Sequence, residues 1–285
     1  MTKKILSLII ITVGILSIFS LKYFDWIKNL NTQEKQKIAV TIYPFYDVVK
    51  EISGDKFEVI LILPPGADPH NYELKPTDLK KIKDVKIVFS NGLLIDRWFE
   101  NINKSLKGSK LIKLFEVVDL IDNDPHFWLS LENMKKIAIK VRDELKLLDP
   151  THKEYYEENF NKFLNKLNKL IELRKGYQFN NLYIITQHNS FNYLAKELNF
   201  NIIGYLETEN KEMKPAEFQN LINKIKKYNL KVIYGDIGEE SNLLKNIAKE
   251  FNLKIYKLDP IEGKSGLNYF EAYKYNLEIL AKSRY

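Results

Sequence analysis

Four histidines occur in the 285 residues of this chain, and two of them sit in the same tripeptide. Asp68-Pro69-His70 recurs as Asp124-Pro125-His126, each time after an apolar run, Phe57 to Leu63 and Leu111 to Ile121. Around the first copy, Pro64, Pro65 and Pro69 fix φ and remove backbone donors, while Gly66 admits a turn that other residues resist. A loop this stiff holds an imidazole with little ordering entropy left to lose. A neutral imidazole on a short rigid loop suits a borderline metal such as zinc. The chain has no cysteine, which excludes disulfides, thiolate sites and a cysteine nucleophile and leaves nitrogen and oxygen donors for any ion.

The elements that must position these residues follow from the apolar pattern. Short β-rich runs alternate with amphipathic segments from Lys37 onward. The first strands are expected over Ile38 to Tyr43, Phe57 to Leu63, Lys86 to Ser90 and Lys110 to Phe115, with helices over Phe45 to Ile52, Pro76 to Lys83 and Ile95 to Leu106 between them. Ser130 is placed to cap a helix over Leu131 to Leu148, which Asp149-Pro150 ends. Thr151 to Tyr177 then reads as one long helix with Tyr155, Phe160 and Phe163 in its core stripe. Strands are expected again over Leu182 to Thr186, Asn201 to Tyr205, Lys231 to Tyr234 and Lys254 to Leu258. Their helices fall over Phe191 to Leu198, Pro215 to Tyr228, Ser241 to Phe251 and Tyr269 to Lys282. Such alternation predicts an α/β fold: two lobes with mainly parallel sheets flanked by helices, joined by one long linking helix. The divisions are residues 1–36, 37–150, 151–177 and 178–285.

In this architecture His70 and His126 follow strands of the first lobe, while His188 and Asp259 end strands of the second. Ligands of open parallel sheets bind beyond the carboxyl ends of the strands, so these four residues converge on the cleft between the lobes. Three imidazoles and a carboxylate complete a tetrahedral zinc sphere. Taken singly, His188 could be a core histidine and Asp259 a strand terminator. His152, in the first turn of the long helix, is assigned no role. Asp68 and Asp124 are placed to hydrogen-bond within their own loops or to orient an imidazole.

Lys3 and Lys4 precede a mostly apolar run from Ile5 to Leu21, which reads as a secretory signal or a short membrane anchor. The lysines would remain in the cytoplasm, placing the rest of the chain outside. No small-x-small cleavage site follows, which favours the anchor, with Asn29 to Gln36 as a tether. Lys plus Arg number 44 against 37 Asp plus Glu, a surplus spread over predicted helix surfaces. No basic-aromatic interleaving accompanies it, so nucleic acid is not an expected partner.

The run from about Ile38 to the C-terminus resembles the extracytoplasmic metal-binding proteins of zinc and manganese ABC importers. Gly66 to Glu73 is similar to that family's first ligand motif, and Asp124-Pro125-His126-Phe127-Trp128-Leu129 to its second. His188 matches the third position and Asp259 the fourth. The resemblance implies two α/β lobes, a rigid linking helix and delivery of metal to an ABC permease, with no catalysis. It also implies Zn(II) as cargo, with Mn(II) possible, since manganese-type members often carry Glu where this chain has His188. Asp236 stands where the family usually places Glu, as a supporting residue or an alternative ligand. The chain departs from the family in lacking a His-rich loop between Glu73 and Asp124 and in lacking the lipid-attachment cysteine. Two other readings stay open on the residues alone: an extracytoplasmic zinc-dependent hydrolase, and a membrane-tethered adhesin. The first has no His-Glu-x-x-His motif behind it.

Overall fold

The β-rich runs become two four-stranded sheets in the computed structural model, which describes residues 20, 22–23, 35–103, 106, 108–207, 213–239 and 241–284. The first sheet holds β1 (Lys37–Val40), β2 (Glu58–Leu61), β3 (Ile87–Ser90) and β4 (Lys110–Lys113) in the order β2-β1-β3-β4. The second holds β5 (Tyr183–His188), β6 (Asn201–Glu207), β7 (Val232–Asp236) and β8 (Lys254–Leu258) in the order β6-β5-β7-β8. Every pairing in both sheets is parallel. Parallel strands need crossovers, and the helices provide them. In the first lobe these are α1 (Tyr43–Ser53), α2 (Pro76–Lys81) and α3 (Arg97–Asn103), and α4 (Leu131–Leu148) follows the last strand. In the second they are α6 (Asn192–Leu198), α7 (Pro215–Lys227) and α8 (Asn242–Glu250), and α9 (Tyr269–Lys282) follows the last strand.

Strands buried on both faces read as continuous apolar runs, and β1 shows why. Ile38 and Val40 point into a large core shared with α1, α4 and the second lobe, while Ala39 points into a smaller one beneath Ile82 and Phe99. The second sheet divides its faces likewise, with Ile184 in the shared core and Ile185 in a separate cluster under α7 and α8. Caps fix the helix starts: the Ser130 hydroxyl accepts from Asn133 N–H, and Asn268 and Glu271 cap α9 reciprocally. Several first-lobe strands are shorter than their apolar runs, although ladder bonds continue past them, as from Leu63 N–H to Thr41 O at 3.1 Å. The helix expected from Ile95 begins instead with a 3-10 turn, Leu94–Asp96. Asp96 ties that turn back to the residues that follow β3, its carboxylate accepting from Asn91 and Gly92 N–H at 2.6 and 3.0 Å.

The linking helix α5 (Lys153–Lys175) has 23 residues and enters through a turn that Asp149 caps. Its buried stripe is Tyr156, Phe160, Phe163, Leu167 and Leu170. Tyr155, expected in that stripe, is only half-buried and packs on Gly54 at the end of α1. A Cβ on Gly54 would lie 2.1 Å from the Tyr155 hydroxyl, and φ there is +58°, so glycine is required on both counts. His152 Nδ1 meets Asp149 Oδ2 at 2.7 Å and serves the turn.

Residues 37–285 form one compact unit. The anchor expected over Ile5 to Leu21 and the tether to Gln36 lie outside the described residues, except Ser20, Lys35 and Gln36. No helix among the described residues is long and apolar enough to cross a membrane.

Candidate metal centre

Both Asp-Pro-His tripeptides fold by the same local device. His70 N–H donates to Asp68 Oδ1 at 2.9 Å, and His126 N–H donates to Asp124 Oδ1 at 2.9 Å. An aspartate that accepts from the backbone two residues on closes the turn, and the intervening proline fixes its φ. Each proline carbonyl is then pinned from elsewhere in the lobe, by Trp98 Nε1 at 3.0 Å and by Asn91 Nδ2 at 2.9 Å. The second copy carries a side-chain contact as well. Asp124 Oδ1 also meets His126 Nδ1 at 2.7 Å. A carboxylate only accepts, so Nδ1 carries the proton and Nε2 presents its lone pair.

That lone pair joins two others. His70, His126 and His188 bring donor atoms together within 4.8 Å of one another, with ring centroids 5.0 to 5.5 Å apart. Nε2 of His126 and of His188 is buried and has no hydrogen-bond partner among the described residues. Buried nitrogen acceptors converging on one point are costly unless something with positive charge fills it. Burial, followed by the neighbouring His126, holds the pKa of His70 down to about 4. Burial, followed by His126 and His70, takes His188 down to about 2. Both imidazoles are therefore neutral at physiological pH, the form that binds metal.

His188 is the last residue of β5 and Asp236 the last of β7, and the strand order reverses between these two strands. This is the switch point where open parallel sheets place their ligands. Asp236 is buried with Oδ1 unpartnered among the described residues, and burial, then Glu262 and Glu239, raise its pKa well above the carboxylate range. Asp259 follows β8, with Oδ1 accepting from Ile261 N–H at 2.7 Å and Oδ2 buried without a hydrogen bond among the described residues. Its pKa is raised by burial. Ile261 has φ +63°, a strained value for a β-branched residue, so the turn after Asp259 is over-determined by its surroundings. The structure thus brings the three histidines together, while Asp259 and Asp236 stand outside the group whose donor atoms lie within 4.8 Å. A cleft of about 880 Å³ opens beside the loop, lined by Asp122, Asp124, Asn189 and Asn192 rather than by the imidazole trio. A single ion needs no such volume.

Residues that sequence reasoning gave no part tie this centre across the lobes. Asp124 Oδ2 accepts from Asn192 Nδ2 at 2.9 Å, and the Asp124 carbonyl accepts from Tyr193 Oη at 2.9 Å. Trp128 Nε1 donates to Pro260 O at 2.8 Å, and Tyr269 Oη donates to Trp128 O at 2.7 Å. These partners lie 68 to 141 positions apart in the chain, so no local pattern could reveal them.

Two parallel α/β lobes around three converging imidazoles define a metal-binding protein of the solute-binding class. The profile of zinc-uptake complex component A, periplasmic, matches residues 38–283, and the chain belongs to that family. The chain is 29% identical to the manganese ABC transporter substrate-binding lipoprotein PsaA of Streptococcus pneumoniae, over 90% of this chain and 91% of that one. With the metal ABC transporter substrate-binding lipoprotein FimA of Streptococcus parasanguinis it shares 30% identity over 98% of each chain. The Zn(II)-bound ZnuA-like domain of Streptococcus pneumoniae AdcA superposes with a TM-score of 0.73 at 28% identity, covering 87% of this chain and 98% of that domain. The chain is a metal-binding substrate-binding protein of an ABC transporter.

Proposed function

We propose that this protein captures Zn(II) outside the cell and presents it to the permease of an ABC importer. One observation carries the choice of ion: three imidazoles converge with their donor atoms within 4.8 Å of one another. Nitrogen donors favour zinc over manganese, which prefers oxygen, and the Irving–Williams order points the same way. His70, His126 and His188 are the ligands in this reading, with Asp259, whose Oδ2 is buried without a hydrogen bond among the described residues, as the fourth. Asp236, beside them at the switch point, supports the site or substitutes for Asp259. The lobes of residues 37–150 and 178–285 close on the cargo about the segment 151–177. Residues 5–21 hold the protein at the membrane or direct its export.

No step of this reading is catalytic. The deciding measurement is metal content by mass spectrometry together with competition against a chelator of known affinity. One zinc per chain is expected, bound more tightly than manganese, with the preference reduced in His188→Glu because an oxygen donor then replaces nitrogen. Equal affinity for the two metals in the wild type would overturn the choice of zinc.

A further inference from the structure

One buried carboxylate stands where the two lobes and the linking helix meet. Glu197 belongs to α6 of the second lobe, and its side chain is only 11% exposed. Among the described residues four donors converge on it. The Ser130 hydroxyl and the Leu131 N–H donate to Oε1 at 2.8 and 3.0 Å. Tyr273 Oη of α9 donates to Oε2 at 2.8 Å, and Arg174 Nη1, from the last turn of α5, lies 2.5 Å from the same oxygen. A buried ion pair is by itself weak evidence for stability, since desolvation offsets the attraction. With both oxygens supplied by donors from α4, α5 and α9, what this carboxylate fixes is geometry.

That geometry leads to the metal centre. His126 opens a 3-10 turn, Phe127–Leu129, and Ser130 closes it: Leu129 N–H donates to His126 O at 3.1 Å, and Ser130 N–H to Phe127 O at 3.2 Å. A turn bonded in this way moves as a unit, so a displacement at Ser130 reaches His126. On the other side of His126, Asn192 and Tyr193 donate to Asp124. α6 therefore grips the chain both before and after this histidine. It is also the helix that follows His188, which ends β5 four positions before Asn192. One short helix of the second lobe thus registers a first-lobe imidazole against the second lobe's own. Glu197 is its far anchor, and Arg174 ties that anchor to the linking helix.

We propose that Glu197 is a positioning residue of the metal centre. Through Ser130 and Leu131 it sets the turn that carries His126 against the helix that follows His188, and so fixes how imidazoles of opposite lobes meet the ion. The inference rests on the three histidines being the cargo site. A Glu197 that served only as half of an ion pair would matter through Oε2 and Arg174. A positioning Glu197 matters through Oε1, Ser130 and Leu131, so the two oxygens separate the two roles.

The test uses the full chain, with zinc for affinity and Co(II) as a spectroscopic probe, because the visible bands of Co(II) report the symmetry of its ligands. In Glu197→Gln the Arg174 guanidinium claims the one remaining oxygen, and the amide turns its N–H groups on Ser130 and Leu131. Zinc binding, by competition with a chelator, should weaken about tenfold, the lower end of the cost of losing a group that orients a ligand, and the Co(II) bands should shift. Arg174→Gln leaves Glu197 bonded to Ser130 and Leu131. It should lower the urea midpoint of the metal-free protein while leaving the zinc Kd and the Co(II) bands in place. Wild-type Kd and Co(II) bands in Glu197→Gln would overturn the inference. So would equal losses of zinc affinity in the two variants, since the ion pair alone would then explain them. If Glu197→Gln did not fold, Ser130→Ala would decide: shifted Co(II) bands support the positioning role, and unchanged ones overturn it. A wild-type chain that bound neither ion would remove the cargo site itself, a failure distinguishable from the others because it appears before any substitution is made.

Discussion

The first sheet runs β2-β1-β3-β4 and the second β6-β5-β7-β8, the same path traced twice. The lobes nonetheless hold their candidate ligands by different means. In the first lobe both histidines ride on loops that organise themselves, an aspartate accepting from the backbone at 2.9 Å across a proline. In the second lobe His188 is part of the sheet itself, and Thr186 Oγ1 donates to its carbonyl at 2.8 Å. Asp259 uses the aspartate–proline turn too, its Oδ1 accepting from Ile261 N–H at 2.7 Å, but its backbone is also held from afar: Asn276 accepts from its N–H and donates to its carbonyl, both at 2.7 Å. The first lobe sets its histidines on loops closed by local chemistry, while the second adds strand pairing at His188 and a long-range backbone clamp at Asp259.

The largest expected effect tests whether the two lobes build one centre. His126→Ala and His188→Ala, one from each lobe, should each weaken zinc binding by several kcal/mol, roughly a thousandfold in Kd. Calorimetry at matched pH gives both numbers. If either variant kept wild-type affinity and stoichiometry, the centre would belong to a single lobe and the comparison would collapse.

A smaller effect separates the two Asp-Pro-His loops from each other. Asp124→Asn should weaken zinc binding by about 10–100-fold, the usual cost of losing a group that orients a ligand imidazole. The new amide would also set a donor against Asn192 Nδ2, which now donates to Asp124 Oδ2 at 2.9 Å. Asp68→Asn removes no contact to its imidazole that corresponds to the Asp124 bond, so its cost should stay near that of one ordinary hydrogen bond, within about tenfold. Equal losses in the two variants would show that the aspartates act only as turn formers. A greater loss at Asp68 would reverse the ranking of the loops.

The contrast between lobes also explains what could be read from the sequence. The repeated tripeptide was legible because all of its chemistry lies within three residues. The α/β alternation was legible because apolar runs report burial on both faces of a parallel strand. His188 and Asp259 were legible as strand ends, and the family motifs placed them in order. The part played by Trp128 in holding Pro260 was hidden, because that contact spans 132 positions. The pairing of Lys264 with Glu239, 25 positions away, was hidden for the same reason. Tyr155 and Tyr156 show the limit within a helix, where adjacent aromatics differ by about a hundred degrees and the neighbouring α1 decides which one is buried.

The smallest effect concerns the seam itself. Asp47 belongs to α1 of the first lobe, and its Oδ2 accepts from Tyr269 N–H, at the start of α9, at 2.8 Å. Burial raises its pKa from an ordinary 3.8 to about 6; the Tyr269 bond works against this, and Glu51 and Glu271 reinforce it. For an acid with a raised folded-state pKa, the native state retains a proton that the unfolded state has already lost. Across the window between those two values native protein binds more protons than unfolded, so the contribution of Asp47 to stability declines as pH rises. Above about pH 6 the decline is complete and the contribution is constant. Asp47→Asn keeps an acceptor for Tyr269 N–H and cannot titrate. The stability of the variant relative to wild type should therefore increase from about pH 4 to about pH 6 and then level off, as measured by urea unfolding of the metal-free protein. A relative stability that fell over the same range would mean that the Tyr269 amide outweighs burial and holds the carboxylate charged. The seam between the lobes would then be an electrostatic lock stabilised by ionisation of Asp47, and the second lobe would owe part of its placement to a charge on the first.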